Sequence, residues 1–315
     1  MKVINKILVP KKSAGERLDV FLAKKLKISR SQIQKMIGAD QVFVNKKLPK
    51  KPGDNLTEGE VIEIKKAKIT IEAKEKKKAG QVKFDVKIIT ATPDYIIVEK
   101  PTGMLAHPTM AEEKNTLANF IIKKYPEVKK VGDDPMRPGI VHRLDKEASG
   151  LMVIARTQKM FNHLKEQFKN RTIEKEYLAL VHDPMPRNWD EINFPISRSE
   201  TSDRMAAIPT AEANRGKEAK TEFLVEKNFV NFSLLRVKTH TGRMHQIRVH
   251  FLAYNHPLVG DPLYFQKKQK RVWDKKLARL FLHSTKLAFT DLDGKKQTFE
   301  SPLPPELTDF LKLLR

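Results

Sequence analysis

The 315-residue sequence predicts an α+β protein, a large domain preceded by a small basic one. Three observations lead there. Hydrophobic residues make up 40% of the chain, enough for a sizeable core. Strand and helix periodicities mix without regular βαβ alternation, which argues against a doubly wound sheet. Charge is uneven. Residues 1–87 carry 23 Lys+Arg against 10 Asp+Glu, so +13 of the net +23 falls in about the first quarter.

Residues 14–64 read as one compact unit. Leu18, Phe21, Leu22 and Leu26 recur at helical spacing and share a face. Ser29 is a suitable N-cap for a second helix with Ile33, Met36 and Ile37 as its apolar stripe, and Gly38 suits its end. Gln41–Lys47 alternates as a strand, and Leu56–Ile64 supplies a turn and another strand. Arg30, Gln32, Lys35 and Lys46 are left on the outside, where they could meet phosphates. Residues 65–84 are Lys-rich and read as a tether.

The large domain is expected over residues 85–315. Val86–Thr90 and Tyr95–Val98 are strand candidates, and Glu99–Gly103 makes a turn. Leu117–Tyr125 reads as a helix ended by Pro126. The apolar run Leu151–Ala155 is a buried strand. Thr157 caps a helix that turns Met160, Phe161, Leu164 and Phe168 inward, and Ile173–Val181 is a further strand. Residues 183–220 are polar and broken by prolines, so loops and short strands are expected.

A net charge of +23 and a pI near 9.9 point to a polyanionic partner, with solubility alone as the rival reading. The absence of cysteine rules out disulfides and thiolate metal sites. Nine histidines show no paired ligand spacing, so no metal is expected. No apolar run reaches membrane-spanning length, and the first ten residues lack a signal-type apolar core. A soluble, cytoplasmic, monomeric protein is the expectation.

Two segments carry chemistry. In Arg137-Pro-Gly-Ile-Val-His142-Arg143-Leu144-Asp145-Lys-Glu-Ala-Ser-Gly150, an aspartate sits between two basic side chains, just before the buried strand. Such a carboxylate has partners for its charge and a rigid support, although a loop ion pair would look the same. In Thr239-His-Thr-Gly-Arg-Met244-His-Gln-Ile-Arg248-Val-His-Phe-Leu252, Thr241 and Gly242 could open a helix. Arg248 would then lie one turn from Met244 and Leu252, on a partly apolar face. A guanidinium there needs an anionic partner, unless it is simply a surface arginine. Tyr177 shares a strand face with Ala179 and Val181, where core packing is the plain reading.

Taken together, these segments resemble the RluA-type RNA pseudouridine synthases. HRLDKEASGL is similar to the family signature HRLDxxTSGL, and TGRMHQIRVHFLAYNHPLVGDPLY to TGRxHQIRVH…HPxxGDxxY. KEYLALV is similar to KxYxAxV; VEKPTGMLAHP, Arg204-Met205, GKEAKTEF and the terminal SPLPPEL extend the match. RLDVFLA, SRSQIQKMI, VFVN and GEVIEI resemble the alpha-L RNA-binding domain. The resemblance implies a mixed, largely antiparallel sheet, with Asp145 as the essential carboxylate and Arg248 pairing with it. It implies that Tyr177 stacks on the target base, with Leu282 as apolar support. Arg143, beside His142, would fill the gap left in the RNA by a flipped base.

The implied reaction breaks the bond between uracil nitrogen 1 and ribose and rejoins ribose at carbon 5. Composition is unchanged, so no cofactor is expected. Whether Asp145 attacks sugar or base, or takes a ribose proton, stays open. The alpha-L domain implies large-subunit ribosomal RNA as substrate, with tRNA as the alternative. Two rival functions make different demands. A catalytically inactive RNA-binding or assembly factor would not need Asp145, Tyr177 and Arg248 together. A nucleoside hydrolase would need a second carboxylate near Asp145, and Glu147 is poorly spaced for that. Ala148 stands where the family commonly has threonine, Asp183 where glycine usually follows the strand, and residues 291–296 lack the usual proline.

Overall fold

A computed structural model describes residues 2–26, 30–49, 51–66, 84–109, 113–199, 204–208, 214–266 and 271–315. Ser29 and most of the 65–84 segment lie outside the described residues, as do the side chains of Arg30, Gln32 and Lys35. The chain divides into two compact units, Met1–Gly80 and Gln81–Arg315.

In the first unit, helices α1 (Leu18–Leu26) and α2 (Arg30–Gly38) pack on a three-stranded antiparallel sheet. Its strands are β1 (Lys2–Leu8), β2 (Val42–Val44) and β3 (Val61–Lys66), in the order β1-β3-β2. The apolar stripes do the packing. Leu18, Phe21 and Leu22 of α1 meet Ile33 and Ile37 of α2 over Val42, Ile62 and Ile64. Strand β1 joins this sheet from before residue 14. Strand β2 is shorter than Gln41–Lys47, because Asn45 and Lys46 take φ of +49° and +66°. They make a tight turn closed by reciprocal Val44–Lys47 backbone bonds, which leaves Lys46 exposed at its tip.

The second unit is built on a nine-stranded sheet. Its first strands are β4 (Lys87–Ala91), β5 (Tyr95–Lys100) and β6 (Ser149–Ala155), with helix α3 (Leu117–Lys124) between β5 and β6. Helix α4 (Gln158–Asn170) leads to β7 (Glu174–His182), β8 (Trp189–Ile192) and a two-stranded ribbon of β9 (Ile196–Arg198) and β10 (Met205–Ala207). Then come β11 (Thr221–Phe229), β12 (Phe232–Thr239), α5 (Gln246–Ala253), α6 (Val272–Leu277), β13 (Leu282–Thr290), β14 (Lys296–Glu300) and α7 (Pro305–Lys312). The sheet order is β4-β5-β6-β13-β7-β12-β11-β8, with β14 on β13. Only β6–β13 is a parallel pair among the described strands; the others are antiparallel. The expected mixed, largely antiparallel α+β fold is therefore the one found.

Both faces of the sheet's centre are covered, which is why Leu151–Ala155 is apolar without alternation. Met152 and Ile154 face a core with Leu117, Ile121 and Phe251, while Leu151 and Val153 face Met160, Phe161 and Leu164 of α4. Thr157 caps α4 by accepting the Met160 N–H at 3.2 Å. The parallel β6–β13 junction needs a glycine. Gly150 has φ of +116°, and a Cβ there would lie 2.3 Å from the Ser284 carbonyl oxygen. Asp183, where the resemblance expects glycine, takes φ of +67°; aspartate is among the few side chains that tolerate this region.

Candidate active site

The sheet places one end of β6, β7, β12 and β13 around a cavity of about 510 Å³. Asp145 enters it from the loop before β6. Tyr177 enters from β7, Leu282 from the start of β13, and Thr239 from the end of β12. His142 and Arg143 also line it. Asp145 is the only carboxylate among the described residues that line it.

Arg248 does not line the cavity. It is 1% exposed on α5, so it is no surface arginine. The helix begins at Gln246, later than Thr241–Gly242, and Met244 falls outside it, 38% exposed. The later start has a local cause. His245 adopts a left-handed backbone, φ +57° and ψ +23°. The buried Gln246 side chain takes up the polar groups of the preceding turn. Its Oε1 accepts the Thr241 hydroxyl at 2.7 Å and the Arg243 N–H at 3.0 Å, and its Nε2 donates to the Lys220 carbonyl and the Thr221 hydroxyl.

Three carboxylates meet the Arg248 guanidinium. Asp261, fully buried, takes Nε and Nη2 at 2.8 Å each in a fork. Nη1 is left to Asp145 at 3.3 Å and Glu147 at 3.1 Å. Tyr264 lies under the guanidinium at 5.1 Å, a cation–π contact. Burial would lower the Arg248 pKa, but hydrogen bonding and charge from Asp261, then the charges of Asp145 and Glu147, leave it raised. Asp261 in turn accepts the Leu263 and Tyr264 backbone N–H groups, so the fork is itself anchored.

The loop that carries Asp145 is pinned from below by Lys100, which is fully buried. Its ammonium donates to the carbonyls of Ala148 (2.7 Å), Pro101 and Met104 (2.9 Å each) and Lys146 (3.4 Å). Burial lowers it to about 7, with Asp145 and Glu147 pulling the other way. The backbone carbonyl of Ala148 makes one of these bonds, so alanine in place of threonine leaves this contact in place. His245 brings Nε2 to 4.0 Å from Asp145, and its Nδ1 lies 2.9 Å from the Tyr264 hydroxyl. Burial lowers its pKa, against the charge of Asp145. His142 stacks on Phe168 with ring centroids 4.8 Å apart, and its Nε2 accepts the Val153 N–H at 3.1 Å. Burial, then the charge of Lys175, holds it neutral at about 3. Tyr177 is 9% exposed, and burial pushes its hydroxyl up to about 12.

Comparison with known proteins decides the family. The RNA pseudouridylate synthase model matches residues 94–253, and the S4 domain model matches residues 16–62. The chain belongs to the RNA pseudouridylate synthase family. An RNA pseudouridine synthase of Aquifex aeolicus is 37% identical over 252 residues, covering 79% of this chain and 77% of that one. The ribosomal large subunit pseudouridine synthase D of Neisseria meningitidis is 34% identical over 319 residues, covering 98% and 81%. Its namesake in Escherichia coli strain K12 is 32% identical over 318 residues, covering 98% and 93%. The human RNA pseudouridylate synthase domain containing 1 shares the fold, with a TM-score of 0.58 and 24% identity over 72% of this chain and 87% of that one.

This pseudouridine synthase is thus an RNA isomerase with an N-terminal S4 domain. The motifs pair Arg248 with Asp145 alone. They contain Asp261, Lys100, His245 and Gln246 without giving them a role, and Glu147 is set aside on spacing, although the fold brings it to the same guanidinium nitrogen. The available signal was donor count. A buried guanidinium has five N–H groups, and one aspartate cannot satisfy them. Among the described residues no helix is long and apolar enough to cross a membrane.

Proposed function

We propose that this pseudouridine synthase acts on large-subunit ribosomal RNA and that Asp145 is the carboxylate that reacts. The observation that carries the second part is its position. Asp145 is the one carboxylate lining the cavity among the described residues, and it rests on a guanidinium that is clamped from its other side. The N1–C1′ bond breaks, the freed uracil turns, and C1′ bonds to C5; C5 gives up its proton and N1 gains one. Arg248 orients Asp145, Tyr177 stacks on the base, and Leu282 and His142 close the walls of the cavity. Arg143, exposed at the rim, enters the RNA stack where the base has left it. The relatives named for the large ribosomal subunit, matched over 98% of this chain, support the choice of RNA.

In the same reading, residues 14–64 are the RNA-binding domain, with Lys46, Arg30, Gln32 and Lys35 facing phosphate. Residues 65–84 are the tether, and residues 85–315 the catalytic domain, working as a monomer. The test is to map pseudouridines in ribosomal and transfer RNA from cells lacking this protein, then to restore it as wild type or Asp145→Asn. One or more large-subunit positions should lose the modification and regain it only with the wild type. Loss confined to transfer RNA would overturn the ribosomal assignment; restoration by the variant would overturn the role of Asp145.

A further inference from the structure

Among the described residues Lys175 is a charged group without a counter-charge. It lies on β7 two residues before Tyr177, on the same face of the sheet, and both line the cavity. Only 9% of it is exposed. Its ammonium makes no hydrogen bond or ion pair among the described residues, and it lies over the Phe168 ring, 5.5 Å from the centroid. Burial lowers it to about 8 with nothing pulling back.

The other basic groups around the cavity differ. Arg137 is paired with Asp134, Arg171 with Glu218, and Arg243 donates to the Glu218 carbonyl. Arg143 and Lys169 are exposed and keep their water. Asp145 lines the same cavity but is engaged by Arg248, and it does not offset the burial of Lys175. His142 is held neutral, in part by the charge of Lys175, and Tyr177 keeps its proton. A buried charge normally comes with a partner, because giving up water for nothing is costly. Here the missing partner has a place to stand, since Lys175 lines a cavity of about 510 Å³.

We propose that Lys175 binds a phosphodiester flanking the target uridine once the base is stacked on Tyr177. The inference rests on the reading of Tyr177 as the base-stacking residue. Along the strand, residues two apart are separated by roughly 7 Å. That is comparable with the step from a nucleobase to its own phosphate. A uracil carbonyl would be a weaker partner, because it brings no charge.

The experiment measures binding of full-length protein to the transcript that the wild type converts, large-subunit ribosomal RNA by the reading above, across a salt series. Wild type, Lys175→Met, Lys175→Arg and a control on the last helix, Lys312→Met, are compared. Lys175→Met should bind about tenfold more weakly at low salt, the loss of one charge-assisted contact. Its log–log salt slope should be shallower by about 0.7, one single-stranded phosphate contact. Lys175→Arg should keep the wild-type slope, and the control should match wild type. Without RNA, Lys175→Met should melt no lower than wild type, since it removes an unpaired buried charge. An unchanged slope would overturn the proposal even if affinity fell, because the contact would then be to an uncharged group. A lower melting temperature would overturn it too, by showing that the ammonium serves the fold. Tyr177→Leu, measured alongside, separates the two readings. Wild-type conversion by that variant sinks the base-stacking role of Tyr177, whereas an unchanged Lys175→Met slope sinks the phosphate contact.

Discussion

Asp261→Asn should disable the enzyme without touching the cavity wall. Asp261 gives Arg248 two charge-assisted bonds of 2.8 Å and accepts two backbone N–H groups. Asparagine keeps one acceptor, which serves the backbone groups and one guanidinium nitrogen. Its amide then faces the other N–H, donor against donor. Removing one member of a buried ion pair costs about 3–5 kcal/mol, because the remaining charge is left without a partner. Asp145 and Glu147 still hold Nη1, so the lower end, about 3 kcal/mol, is expected. For a unit of this size, each kcal/mol moves Tm by about 2–4 °C, so Tm should fall by about 6–12 °C and the protein stay folded at 25 °C. The chemistry should suffer more than the fold. A guanidinium free to turn no longer presents Nη1 to Asp145, and the conversion rate should drop at least about a hundredfold. The measurements are a thermal melt and single-turnover conversion of saturating RNA. A variant within 2 °C of wild type with a near-normal rate would refute the clamp.

Other outcomes follow from the same geometry. Asp145→Asn should abolish isomerisation while RNA affinity changes by less than about tenfold, roughly 1.4 kcal/mol; residual conversion near wild type would refute its role. His250 and His283 are fully buried, and burial lowers each to about 4. Their unfolded forms take up protons from about pH 6.5 downward and the folded forms do not, so stability is lost as pH falls towards 4. Between pH 7 and 5 each should cost about 2 kcal/mol, read as a lower urea midpoint; a midpoint that does not move would contradict it. Deleting residues 1–84 should leave a folded, active domain whose salt slope is shallower by about 0.7 for each lost single-stranded phosphate contact. Equal slopes would assign the N-terminal charge to solubility, and a truncated protein that cannot fold would move the boundary.

What could be read from the sequence was local. Apolar spacing marks α1, α2 and α4, and Thr157 marks where α4 begins, because caps and stripes act within a few residues. The run Leu151–Ala155 reads as a strand, yet its burial on both faces depends on α4, which follows at once, and on α5, far along the chain. The strands β11 to β14 carry no comparably local signal, and the hairpin turn at Asn45–Lys46 shortens β2, since a lysine at positive φ gives no sequence signal. At the site, the motifs name Asp145, Tyr177 and Arg248, and the fold sets Arg248 3.3 Å from Asp145 across 103 positions of chain. They do not show what surrounds those groups. Lys100 binds carbonyls of residues 146 and 148, and Asp261 reaches Arg248 from a loop beyond the helix. A sequence displays which groups are charged. It does not display which charges are left over, because being unpaired is a property of everything that comes near. Arg248 and Lys175 are both basic residues in similar apolar surroundings. Only the fold distinguishes the first, which has three carboxylates and a place behind the cavity, from the second, which has none among the described residues and a place in its wall. The surplus of carboxylate around Arg248 suits a group that must hold still. The deficit around Lys175 suits a group waiting for a phosphate that arrives with the RNA.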